Sequence, residues 1–166
     1  MPLLLLKVNR LSAVFWDVDG TLADTEMDGH RPAFNMAFKE LDLPFVWDEA
    51  LYKKLLAIPG GLRRVKLHAE TCGVHLSQNQ LDQVRDRKRV HYLDRVRQGH
   101  VHLRPGVKRL LQELNRAGVQ QWIVTSSGSA SVMALLEQIQ KQIPSFDGVV
   151  TSDDVASGKP APDGYR

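Results

Sequence analysis

The sequence is poor in the features that staple or anchor a chain. Its 166 residues contain one cysteine, Cys72, which excludes an internal disulfide and a cysteine-clamped zinc. A lone thiol suits a reducing compartment, so a cytoplasmic protein is expected. No charge of one sign dominates: 22 Lys and Arg stand against 19 Asp and Glu, a formal charge of +3 that is too slight to imply nucleic acid. The most basic stretch, Arg85 to Arg104, is interrupted by Asp86 and Asp94. It carries no aromatic run for stacking bases, and reads as a solvated helix face. Long apolar runs are missing too. Leu3 to Leu6 is too short for a signal peptide, and nothing approaches the roughly 18 residues that span a bilayer. No internal repeat and no low-complexity segment is present. These absences leave neither a nucleic acid nor a membrane as an expected partner.

What is there is ordinary globular composition, 43% hydrophobic and 25% charged, in a chain long enough to bury a sizeable core. Leu11 to Trp16 is an apolar run that ends in Asp17-Val-Asp-Gly-Thr21, the pattern of a buried strand with polar residues at its tip. Helical spacing then takes over at Phe34, Ala37, Phe38 and Leu41, and again at Leu62, Val65, Ala69 and Cys72. Ser77-Gln-Asn-Gln80 is a capping-box start for a further helix. Residues 25–96 therefore read as wholly helical. At Arg104-Pro-Gly106 the pattern resets. A helix from Pro105 to Gly118 leads to a strand over 119–125, a turn at Ser126 to Ser129, a helix carrying Val132, Leu135, Leu136 and Ile139, and a short strand at 149–151. Alternating strands and helices predict an α/β fold with a parallel sheet and ligands at the C-terminal ends of its strands, interrupted by a helical insert.

Asp17 and Asp19, two positions apart at a strand end, invite a divalent cation. An oxygen-only site with few protein ligands suits Mg²⁺, which keeps waters and takes further ligands from phosphate. The bland alternative is a turn with helix-capping character.

The segment Asp17-Val-Asp-Gly-Thr-Leu-Ala-Asp-Thr-Glu26 resembles the first motif of the haloacid dehalogenase-like phosphatases, particularly their CbbY and beta-phosphoglucomutase-like branch. Leu103 to Leu111 resembles the segment that re-enters the core after the cap. Ile123-Val-Thr-Ser-Ser127 resembles the second motif, and Ser157-Gly-Lys-Pro-Ala-Pro-Asp-Gly-Tyr165 the third. Four ordered matches are far more specific than one. The resemblance implies a Rossmann-like core, here about three strands, made of residues 1–24 and 97–166, with a helical cap over 25–96. It implies Asp17 as nucleophile, Asp19 as general acid and base, Thr125 helped by Ser126 on a phosphoryl oxygen, and Lys159 as counter-charge. Asp17 and Asp19 would hold Mg²⁺, and the substrate would be a small sugar phosphate, for this branch a bisphosphate such as xylulose 1,5-bisphosphate. In the cap, Gly60, Gly61 and Arg64 would form the substrate-specificity loop, with Arg63 as the alternative cation.

Taken singly, these residues have plainer uses. Thr125 and Ser126 suit a strand end and a helix cap, Lys159 an exposed lysine, and Arg64 a solvent-facing helix start; Asp153 and Asp154 read as turn or capping residues. The six histidines show no ligand spacing, and His100 and His102 read as surface residues.

The family pattern also includes a fourth motif, an acidic pair at the end of a further strand, which is not found before Arg166. Its absence is expected to leave Ala13 to Trp16 as an unpaired apolar edge, open to self-association, and to leave the metal short of a carboxylate. The alternative reading is then a noncatalytic phosphate- or partner-binding protein of the same lineage. The expectation for the 166-residue chain is weak Mg²⁺ binding and poor turnover, checked by isothermal titration and phosphate release on purified protein; robust Mg²⁺-dependent hydrolysis would overturn it.

Overall fold

The computed structural model describes residues 11–166. Leu3 to Leu6 and the first ten residues of the expected core lie outside the described residues. Three strands, β1 (Ala13–Trp16), β2 (Gln120–Val124) and β3 (Gly148–Val150), pair in parallel in that order. Trp16 stands opposite Ile123, and Val124 opposite Val150, so all three strands finish at one edge. The sequence expectation of an α/β fold with an open parallel sheet is met.

Parallel neighbours need a crossover. Between β1 and β2 the crossover carries a π-helical turn (Thr25–His30) and helices α1 (Arg31–Glu40), α2 (Glu49–Leu55), α3 (Gly61–Thr71), α4 (Gln78–Arg97) and α5 (Val107–Arg116). Between β2 and β3 it is the single helix α6 (Ser129–Ile139). The Ser77 capping box is present, with Gln80 accepting from the Ser77 backbone and Ser77 Oγ accepting from the Gln80 backbone.

Residues 25–96 are not wholly helical, because the chain between α1 and α2 runs without helix. Phe45 and Trp47 are buried there, and their backbone needs partners that a helix would otherwise supply. Asn35 of α1 provides them: its Oδ1 accepts from Trp47 N at 2.8 Å and its Nδ2 donates to Trp47 O at 2.9 Å. The seven-residue α2 is too short to show the repeated stripe from which the other helices are read.

Apolar packing falls into two clusters. One lies against the sheet and holds Trp16, Leu22, Leu111, Ile123 and Leu135; the other, farther along the helices, holds Phe34, Phe38, Trp47, Tyr52 and Val65. Helix α4, about 30 Å long at 1.5 Å per residue, belongs to both. Its Leu81 and Val84 pack in the second cluster, and its Tyr92 and Val96 in the first.

Among the described residues β1 lies at the edge of the sheet, and only part of it is open. Phe15 is 49% exposed, with the Tyr165 ring edge-on to it at 5.8 Å, whereas Trp16 is buried. Trp16 is accommodated because its Nε1 donates to Gln121 Oε1 at 3.2 Å, while Gln121 Nε2 donates to the Leu111 carbonyl at 3.0 Å. One buried amide thus joins β1, β2 and α5.

Replacing Gln121 by Ala strips the buried indole of its acceptor and is expected to cost about 1–3 kcal/mol of unfolding free energy. Adding Trp16→Phe should return part of that loss in a double-mutant cycle measured by urea denaturation.

Candidate active site

The shared edge of the sheet gathers residues that are far apart in sequence. Asp17 follows the last residue of β1, and Lys159 lies in the loop after β3. Lys159 Nζ donates to Asp17 Oδ1 at 2.9 Å across 142 positions. The loop holding Lys159 is tied at its base, where the Ser157 backbone donates to Asp163 Oδ2 at 3.2 Å. Thr125 directly follows β2 and is buried. Its backbone donates to the Val150 carbonyl at 3.0 Å, and its Oγ1 accepts from the Ser127 backbone at 3.1 Å.

Asp19 sits in a tight turn in which Gly20 N donates to the Ala23 carbonyl at 2.9 Å. Three side chains hold its carboxylate. Thr25 Oγ1 donates to Oδ1 at 2.6 Å, Ser127 Oγ donates to Oδ2, and His30 Nε2 lies 3.4 Å from Oδ1. Burial pushes the Asp19 carboxyl up, but the hydrogen bond and charge of His30, with the Ser127 and Thr25 hydroxyls, hold it well below the usual carboxylate range. Burial lowers His30 below its ordinary value; the Asp19 hydrogen bond opposes this and the nearby Lys88 charge adds to it.

Lys88 of α4 closes this line. Its Nζ lies 2.9 Å from His30 Nδ1 and 5.2 Å from the ring centroids of both Phe34 and Tyr92. An ammonium can only donate, so His30 accepts at Nδ1 and carries its proton on Nε2, facing Asp19. The His30 ring stacks on Tyr92 at 4.2 Å. Lys88 also lines a cleft of about 280 Å³ with Arg85, Arg89, Tyr92, Asp153 and the start of α6.

The expected cap residues occupy a different place. Gly60 adopts φ +87°, a left-handed conformation that glycine enters without strain, just before α3. At Gly61 a Cβ would come within 3.0 Å of the Phe34 ring, so its close approach is to the cap interior. Arg64 is engaged within the cap: Nε donates to the Ile58 carbonyl at 2.9 Å and Nη1 to Tyr52 Oη at 3.3 Å. Tyr52 Oη donates in turn to Glu26 Oε2 at 2.6 Å. Burial and Glu26 push this phenol far above its ordinary range, so it remains a donor. None of Gly60, Gly61 and Arg64 touches Asp17 or Asp19.

Ser126 is exposed, and the neighbouring Ser127 makes the contact to Asp19. Asp153 and Asp154 do cap: Asp153 Oδ2 accepts from the Ser129 backbone at 2.8 Å, and Asp154 Oδ2 from the Thr151 backbone at 2.8 Å. His102 is an exposed residue, as expected, and its Nδ1 lies 3.2 Å from Asp28 Oδ2. The sequence reading missed Thr25, His30, Ser127 and Lys88. Thr25 lay within the quoted first motif and Ser127 within the second, whereas nothing in spacing pairs His30 with a lysine 58 positions away.

As oxygen donors, Asp17 and the main-chain carbonyl of Asp19 match the hardness of Mg²⁺. Among the described residues no group of three His, Cys, Asp or Glu side chains is placed to hold a metal.

The chain and its fold have counterparts among known proteins. Protein CbbY of Rhodobacter capsulatus is 35% identical over 158 residues, covering 94% of this chain and 69% of the relative. The plasmid-encoded CbbY of Cupriavidus necator is 38% identical over 166 residues, with 93% and 63% covered. This chain thus spans about two thirds of the length of either relative. Crystal structures of CbbY from Rhodobacter sphaeroides, one with phosphate and one of a mutant with xylulose-(1,5)bisphosphate, superpose at TM-scores of 0.73 and 0.72 with 31% identity, covering 95% of this chain and 70% of theirs. The model of the haloacid dehalogenase-like hydrolases matches residues 11–166, from the strand that bears Asp17 to the turn beyond Lys159, and the chain belongs to that family.

Proposed function

We propose that this chain carries the phosphoryl-transfer site of a Mg²⁺-dependent phosphatase or phosphomutase that acts on small sugar phosphates through an aspartyl phosphate on Asp17. The observation that carries the reading is the contact between Lys159 Nζ and Asp17 Oδ1. An ammonium there offsets the charge of an attacking carboxylate and of an incoming phosphoryl group, which would otherwise repel each other. The phosphate and xylulose-(1,5)bisphosphate bound in the CbbY structures support a sugar bisphosphate as the substrate class.

Asp17 attacks phosphorus and the sugar oxygen leaves with a proton from Asp19; in hydrolysis Asp19 then takes a proton from water. That role requires Asp19 to leave its present partners. As an acceptor of hydrogen bonds from Thr25, Ser127 and His30 it is held ionised, so Asp19 must come away before it can carry a proton to the leaving group. Thr125 at the end of β2 is assigned to a phosphoryl oxygen, with Ser126 beside it. Mg²⁺, held by Asp17 and the Asp19 carbonyl, would supply further charge neutralisation on the phosphoryl oxygens. The cap would act as a lid, with Gly60 and Gly61 giving its loop freedom to approach and Arg64 leaving Tyr52 for a distal anionic group. The lone free thiol, Cys72, supports a cytoplasmic setting.

A second reading is favoured by one observation: the described residues offer no three-ligand acidic cluster. In that reading the chain binds phosphate, or a second chain along the β1 edge, without turnover.

Phosphoenzyme trapping separates the two. Wild-type protein, quenched in acid after exposure to xylulose 1,5-bisphosphate and Mg²⁺, should carry a hydroxylamine-labile phosphate that Asp17→Asn lacks, with hydrolysis reduced by several orders of magnitude. An unlabelled wild type that still binds phosphate would favour the noncatalytic reading, and hydrolysis unchanged by Asp17→Asn would expose a contaminant. Lys159→Met is expected to lower kcat by about 10²–10³-fold, while stability changes by at most about 1 kcal/mol because the pair is partly solvated.

A further inference from the structure

We propose that Tyr52 is a positioning residue for substrates with a second anionic group: its hydroxyl stands between Glu26 and Arg64, keeps the two from pairing, and so holds the Arg64 guanidinium ready for that group. The inference rests on the sugar-phosphate reading above and names what in the cap would set a preference for a bisphosphate.

Three elements meet at one oxygen. Glu26 lies in the π-helical turn that leads into the cap, Tyr52 on α2, and Arg64 in the first turn of α3. Tyr52 Oη donates to Glu26 Oε2 at 2.6 Å and accepts from Arg64 Nη1 at 3.3 Å. The phenol ring is fully buried and packs beside Trp47 at 5.6 Å between centroids, so the place of the hydroxyl is fixed by the cap interior. Among the described residues Arg64 forms no ion pair with Glu26 or with any other carboxylate, although the two charges stand on either side of the same hydroxyl.

A guanidinium and a carboxylate that meet directly form a charge-assisted, often two-pronged pair, which an incoming phosphate would have to break. With the phenol between them, the carboxylate is satisfied by an O–H and the guanidinium leaves only a neutral acceptor. Such a bond is about half as strong as one between charged groups, so Arg64 can turn to a ligand without stranding a partner charge.

The rest of the guanidinium suits the task. Its Nε donates to the Ile58 carbonyl at 2.9 Å, which ties it to the loop that carries Gly60 and Gly61. Of the five N–H groups of an arginine, two are engaged among the described residues and three remain for an anion. These charges also reach the acid line. Burial pushes the Lys88 amine down, Glu26 and Asp19 act against this and Arg64 with it, and Lys88 Nζ lies 2.9 Å from His30 Nδ1.

Isothermal titration on the intact chain carrying Asp17→Asn, so that no ligand is consumed, compares xylulose 1,5-bisphosphate with inorganic phosphate in the presence of Mg²⁺. Tyr52→Phe keeps the ring and removes the spacer, which lets Glu26 and Arg64 close into a pair. Bisphosphate binding is expected to weaken about five- to tenfold, with phosphate binding unchanged within about twofold. Adding Glu26→Gln removes the competing charge and should restore the bisphosphate affinity, a rescue that a merely structural role for Tyr52 would not show. Glu26→Gln alone, with the phenol in place, should tighten bisphosphate binding about two- to threefold; weakening by it overturns the proposal whether or not Tyr52→Phe folds. Unchanged bisphosphate affinity in Tyr52→Phe overturns it too, as does an equal loss of both ligands or the absence of rescue. A parent protein that binds the bisphosphate no more tightly than phosphate overturns this inference and leaves the Asp17 chemistry standing, whereas one that binds neither ligand takes the sugar-phosphate reading with it.

Discussion

Three parallel strands that end at one edge are the constraint on which the site depends. Because Trp16 stands level with Ile123 and Val124 with Val150, the chain leaves all three strands at the same height, and the loops that follow must share the space above them. That is why residues 142 positions apart come within 2.9 Å. The contact itself adds little to stability, since a partly solvated ion pair contributes about 1 kcal/mol at most. The sheet holds the charges together, and their proximity serves the chemistry.

Above the sheet, the line from Lys88 through His30 to Asp19 joins the cap to the acidic tip by side chains alone. It begins on α4, which is packed into both apolar clusters, and ends on a turn fixed by backbone hydrogen bonds. A helix packed into one apolar cluster through Leu81 and Val84 and into the other through Tyr92 and Val96 sets where Lys88 lies, and the lysine in turn sets which nitrogen of His30 bears the proton. The carboxylate at the end of the line is held charged by His30, Ser127 and Thr25, with Lys88 fixing the orientation of the imidazole.

Much of this was legible in the sequence. The apolar run before Asp17 marks β1, the stripes of α1, α3, α5 and α6 mark the helices, and Asp17 with Lys159 falls at expected places. What could not be read is instructive. The inward chain around Trp47 has its backbone satisfied by a side chain, Asn35, which no periodicity reports. Helix α2 is shorter than the window in which a stripe becomes visible. The His30 contact depends on a π-helical turn, whose i→i+5 winding departs from the spacing by which helix faces are judged. Arg64 was legible as a cation at a helix start, but its engagement with Tyr52 and Ile58 needs three cap segments folded together.

The π-helical turn has a consequence for how the molecule can vary. Thr25 and His30 stand at the two ends of that turn, and both reach the same oxygen of Asp19. In a regular α-helix, positions five apart diverge by about 140° around the axis, given 3.6 residues per turn. With one residue fewer the two would stand four apart, about 40° around a regular α-helix, so it is the wider π-turn that lets positions five apart share one face. Regularising this turn to α-helix at its present length would part the hydroxyl from the imidazole, so the irregular winding itself is what wires both to the acid.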